Sequence, residues 1–118
     1  MNREETEAFI LGSMLFDEKN INNFPINPSI FHTKRYKIIY TAMLDIYKHG
    51  LENAKGANFI YTLINYLKMK DLLEEVGAEP EIVGLQMFLP DKNTNADMAR
   101  AINLLKNAPG DITFITDR

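Results

Sequence analysis

The chain is predicted to fold as an all-α domain, a compact bundle of about six helices. Three observations carry that expectation. Apolar residues recur at three- and four-residue spacings in several separate stretches, the period of a helix face. Glycines, prolines and small polar residues stand between those stretches, where helices start and stop. Strict apolar–polar alternation, the mark of a half-buried strand, is absent apart from a short run at 112–116.

The first helix is expected to start at Asn2, with Glu5 three residues on at capping-box spacing. Ala8, Leu11 and Leu15 form its inner face, widened by Phe9, Ile10 and Met14. Gly12 inside this helix predicts close approach by another element. Residues 17–23 add a short helical turn, ended by Phe24 and Pro25, and a further turn is expected over 27–31 with Pro28 early in it. Thr33 is the expected N-cap of a long helix running to about His49, closed by Gly50, with Ile39, Ala42, Met43 and Ile46 buried.

Residues 51–56 read as a loop. A third main helix follows from Ala57, with Ile60, Leu63, Ile64 and Leu67 inside. Asp71 is the expected cap of a short helix through Val76, stopped by Gly77. Glu79, Pro80 and Glu81 open the next, with Ile82, Leu85 and Phe88 inward and Pro90 ending it. Asn93 or Thr94 caps the last helix, whose inner face is Met98, Ile102 and Leu105. Residues 109–118 read as a tail or the start of a linker after a domain spanning 1–108. A strand at 112–116 is the alternative, favoured by its β-branched and aromatic content.

The 118 residues suit one domain with a single core. With no cysteine, disulfides and thiolate metal sites are excluded. No stretch reaches the ~20 apolar residues of a membrane helix, and the acidic N-terminus lacks the layout of a secretory signal; a cytoplasmic protein is expected. Thirteen basic against 16 acidic residues, net −3, argue against nucleic-acid binding as the main role. The one basic cluster, Lys34-Arg35-Tyr36-Lys37, is weighed against a solvated first turn of helix, and the latter is preferred.

Catalytic chemistry has no foothold in the sequence. There is no G-x-x-x-x-G-K-[ST] phosphate loop. His32 and His49 stand 17 apart without metal-ligand spacing. The pairs Asp17-Glu18 and Glu74-Glu75 read as solvated faces. No catalytic, cofactor-binding or metal-ligating residue is expected. Tyr36, Tyr40 and Tyr47 lie close to one helical stripe, suited either to a protein interface or to the margin of the core.

Several runs nevertheless carry information in their order. Glu5, Glu7, Ile10, Leu11, Gly12 and Ser13 form an E-x-E-x-x-h-L-G-S pattern, followed by Asp17. Phe31, then Ile39-Tyr40-Thr41-Ala42, Tyr47 and Gly50 come next. Leu72-Leu73-Glu74-Glu75-Val76-Gly77 is unbroken, and Asn95, Ala99 and Ile102 close the series. Over residues 4–107 the chain resembles the N-terminal domain of DnaB-type replicative DNA helicases. It departs at Leu51-Glu52-Asn53 and at Ala78-Glu79-Pro80-Glu81, and Pro109-Gly110 interrupts where the family continues into a helical hairpin.

The resemblance implies a non-catalytic collar domain that forms a homodimer or part of a hexameric ring and docks a DnaG-type primase or a helicase loader. It implies no cofactor, no membrane and no direct DNA contact. Candidate contact residues are Glu5, Glu7, Tyr36, Tyr40, Tyr47, Glu81 and Ile82; for Glu5 and Glu7, partners of the helix dipole are the alternative. Rival readings are a stand-alone adaptor or inhibitor of a helicase, for example phage-encoded, and the helicase-binding end of a primase. Either an excised piece of a helicase or a complete small protein fits the length.

Overall fold

A computed structural model describes residues 2–49, 57–88 and 94–107. Among these are six α-helices: α1 (Arg3–Phe16), α2 (Lys19–Asn23), α3 (Lys34–Lys48), α4 (Ala57–Met69), α5 (Ala78–Gly84) and α6 (Thr94–Asn107). Short 3-10 turns stand at Pro28–Ile30, Glu74–Val76 and Leu85–Phe88. The all-α fold is as expected. The Gly50 cap, the loop at 51–56, the Pro90 stop, the Asn93 cap, the boundary at 108/109 and the possible strand at 112–116 lie outside the described residues.

α1 forms the centre. Its capping box is complete: Asn2 Oδ1 accepts from the Glu5 N–H at 2.8 Å, and Glu5 Oε1 accepts from the Asn2 N–H at 3.0 Å. A one-sided stripe was the expectation, yet every residue from Thr6 to Leu15, Gly12 included, is buried. The cause is packing on several sides, by α2, α3, α4, α6 and the turn at Leu85–Phe88. Two of its buried polar side chains are satisfied within the helix or at its cap. Thr6 and Ser13 hydroxyls donate to the carbonyls of Asn2 and Phe9, at 2.8 and 2.9 Å. Asn20 of α2 donates its side-chain N–H to the Ser13 carbonyl at 2.9 Å, closing the helix end from outside.

Around α1 the core gathers Phe31, Ile39, Tyr40, Met43, Phe59, Leu63, Leu67, Val76, Ile82, Met98 and Leu105, all fully or almost fully buried. The inner faces read for α3, α4 and α6 are the ones that pack. Glu18, expected on a solvated face, is buried.

Asp71 does not cap a helix start. It closes α4, with φ +59°. Its N–H donates to the Lys68 carbonyl at 3.1 Å and the Leu72 N–H to the Leu67 carbonyl at 2.8 Å, the paired bonds of a left-handed helix stop. Gly77, φ +98°, ends the next turn in the same way, with its N–H on Glu74 and the Ala78 N–H on Leu73. A Cβ at Gly77 would lie 2.9 Å from Glu81 Cβ. Left-handed strain and this overlap set the expected loss for Gly77→Ala at ~2 kcal/mol. Urea denaturation checks it; an unchanged midpoint would show the turn to be unconstrained. Thr94, read as a possible cap, is instead the first residue of α6.

Candidate interaction surface

Two of the runs, the Glu5–Ser13 pattern and Leu72–Gly77, some sixty residues apart in sequence, converge on the start of α3. Glu7 from the first is wholly buried. Its carboxylate accepts from the backbone N–H groups of His32 (3.0 Å) and Thr33 (3.2 Å), and lies 3.2 Å from the guanidinium of Arg3. Arg3 in turn donates to the Ile30 carbonyl at 3.0 Å. Thr33 occupies the N-cap position as expected, but its side chain makes no capping bond. The Glu7 carboxylate from α1 holds the two N–H groups just before the helix, at an end where the dipole favours negative charge. Glu75 from the second motif reaches Lys34 at 3.3 Å.

Beside it, Arg35 joins three helices. Its guanidinium lies 2.6 Å from Glu4 of α1 and 3.4 Å from Glu81 of α5, and 4.6 Å from the centre of the Tyr36 ring. Burial works against the Arg35 charge, but the bond to Glu4 and the surrounding groups more than reverse this and raise its pKa. Burial likewise pushes the Tyr36 hydroxyl up, opposed by Arg35. With Lys34 and Arg35 paired and the Tyr36 ring buried, this cluster presents no open base-stacking platform.

The predicted contact residues therefore divide. Glu7, Tyr36, Tyr40 and Ile82 are buried and hold the fold; a partner cannot touch them on the folded domain. Tyr40 packs its ring 5.1 Å from that of Phe31, and its hydroxyl donates to the Ile26 carbonyl at 3.4 Å. Burial raises the Tyr40 pKa against the opposing effect of that bond. Glu81 is half-buried and engaged by Arg35; Glu5 is exposed but serves the capping box. Tyr47 is half-buried and lines, with Tyr40, an open groove beside α3.

Sequence reasoning missed the exposed apolar side chains Phe16, Tyr61, Met69 and Val83, which are 63, 65, 86 and 49 % accessible. A signal existed for Tyr61, an aromatic residue off the Ile60–Leu63–Ile64–Leu67 stripe. Among the described residues these four, and not the buried Tyr36 and Tyr40, are the large apolar side chains that stand fully exposed.

Near the end of α3, Asp45 ties that helix to α4. It accepts from the Tyr66 hydroxyl and lies 2.8 Å from His49 Nδ1. The Tyr66 bond holds the Asp45 carboxyl below the usual carboxylate range, helped by His49 and Lys70 against desolvation. A lowered folded pKa gives stability that is present above the unfolded value, ~3.9, and lost as pH falls through the folded one. The gap in Tm between the natural chain and Tyr66→Phe should therefore be largest near neutrality and shrink below about pH 4. A gap independent of pH would remove this bond from the account.

The family model for the DnaB-like helicase N-terminal domain matches residues 1–104. The chain belongs to that family. Its fold is that of a solved relative, the N-terminal domain of DnaB helicase from Mycobacterium tuberculosis, with a TM-score of 0.70 at 24 % identity. The match covers 86 % of this chain and 66 % of the relative, so the chain spans just under two thirds of that structure. No curated protein sequence matches it. The family in question is the non-catalytic N-terminal domain of the helicase, and the sequence holds no phosphate loop. Among the described residues no cluster of His, Asp and Glu could hold a metal ion.

Proposed function

We propose that this domain is the non-catalytic collar element of a replicative DNA helicase. It self-associates as a homodimer or within a hexameric ring, and docks a DnaG-type primase or a helicase loader during DNA replication. The observation that carries the reading is the family match over residues 1–104. The exposed Phe16, Tyr61, Met69 and Val83 support it, as apolar side chains of the kind that association covers. Coupling in such a ring follows from differential affinity: a docked primase favours whichever collar arrangement it binds more tightly.

Two measurements test the proposal. Sedimentation equilibrium over a wide concentration range is expected to show reversible self-association, weakened by Tyr61→Ser or Met69→Ser. Calorimetric titration with the helicase-binding domain of a DnaG-type primase is expected to give saturable binding. A monomer up to about 1 mM that also gives no heat with primase or loader would overturn the reading. Suppression of an intact helicase's ATPase by the added domain, without self-association, would instead support the stand-alone inhibitor.

A further inference from the structure

The groove beside α3 has a volume of about 350 Å³ and is walled by Pro25, Pro28, Leu44 and Tyr47, with the buried Ile21 and Tyr40 behind them. We propose that it is a docking site for an acidic amphipathic helix of a partner protein, about three turns long. The proposal goes beyond the collar reading. It concerns a different surface from the four exposed apolar side chains and holds whether or not the domain enters a ring.

Charge selects the occupant. The chain carries 16 acidic residues against 13 basic, yet among the described residues no carboxylate lines the groove and the charged lining residue is Lys48. Lys37, Thr41, Leu44 and Lys48 follow one another at steps of four, three and four, so they form a single stripe along α3. Lys37, Thr41 and Lys48 are exposed and Leu44 is half-buried. The lysines stand ~16 Å apart along the axis, the length of an eleven-residue helix. A partner helix with apolar residues at i, i+3, i+4 and i+7 would fill the apolar wall. Carboxylates near its two ends would meet the two lysines.

The same residues disfavour nucleic acid. A single-strand groove needs a track of cations and open ring faces. Here one lysine lines the groove among the described residues, Tyr40 is fully buried, and the nearby Lys34 and Arg35 are engaged by Glu75, Glu4 and Glu81.

The test is selection of displayed random peptides, about twelve residues long, on the full chain, followed by anisotropy titration of the enriched sequences. Expected are helical peptides with an apolar stripe and Asp or Glu near both ends. Lys48→Glu is expected to weaken them about tenfold, with affinity restored when the facing carboxylate of the peptide becomes lysine. Both lysines are exposed, so neither Lys37→Glu nor Lys48→Glu should alter the circular dichroism, and only Lys48→Glu, in the last turn of α3, should lower Tm slightly through the helix dipole. Absence of enrichment, enrichment of basic peptides, or binding indifferent to both reversals would overturn the proposal. So would an oligothymidylate that competes for the same lysines more tightly than any peptide.

Discussion

Glu7→Ala is expected to cost ~3–5 kcal/mol of folding stability, the usual loss when one partner of a buried ion pair is removed. Arg3 would stay almost wholly buried with its carboxylate gone, and the His32 and Thr33 N–H groups would lose their acceptor. A domain of this size holds ~5–15 kcal/mol in all, so the variant should be unfolded to a measurable degree at 37 °C. Replacing both members, Glu7→Leu with Arg3→Met, should recover part of the loss, because the charge that needed pairing is gone as well. Urea denaturation of the two single variants and the double variant closes the cycle. A single-variant loss under ~1 kcal/mol would mean that water reaches Arg3 and that the pair does little for the fold.

Phe31→Ala is the second large effect, at ~3–5 kcal/mol. Phe31 is fully buried, lies against the Tyr40 ring, and stands immediately before the two residues whose N–H groups Glu7 binds. Removing the ring opens a cavity at the joint between the turn at Pro28–Ile30 and α3. Phe31→Leu should cost much less, since most of the apolar volume remains. If the two substitutions destabilise equally, the ring's shape and not its volume is what the site needs.

Much of this architecture could be read without coordinates. The Asn2–Glu5 box, the turn at Pro28 and the inner faces of α3, α4 and α6 follow from local spacing, which a sequence displays directly. Tertiary partners are another matter. Thr33 has the right residue type for a cap but makes no capping bond, and its own N–H is held by Glu7, 26 positions away. Asp71 has the letter of an N-cap and the backbone of a helix stop, because aspartate tolerates the left-handed region that this end requires.

The contact surface was the least legible part. Tyr36, Tyr40 and Ile82 carry the composition of an interface, yet the monomer consumes them in its own packing. Which apolar residues remain outside depends on how six helices meet. Tyr61 and Met69 become visible only once α4 has been docked.

The central position of α1 has a consequence for how the polypeptide is made. The first helix of the domain is buried on nearly every side, and two of its covers, the turn at Leu85–Phe88 and α6, come from the last third of the domain. Until those residues emerge, Phe9, Ile10, Leu11 and Met14 have no complete shelter. Nascent chains stalled before residue 94 should therefore attract chaperones or aggregate, whereas release after 107 permits closure in one cooperative step. The order of synthesis and the order of burial run against each other, and the helix that begins the domain is the last to be enclosed.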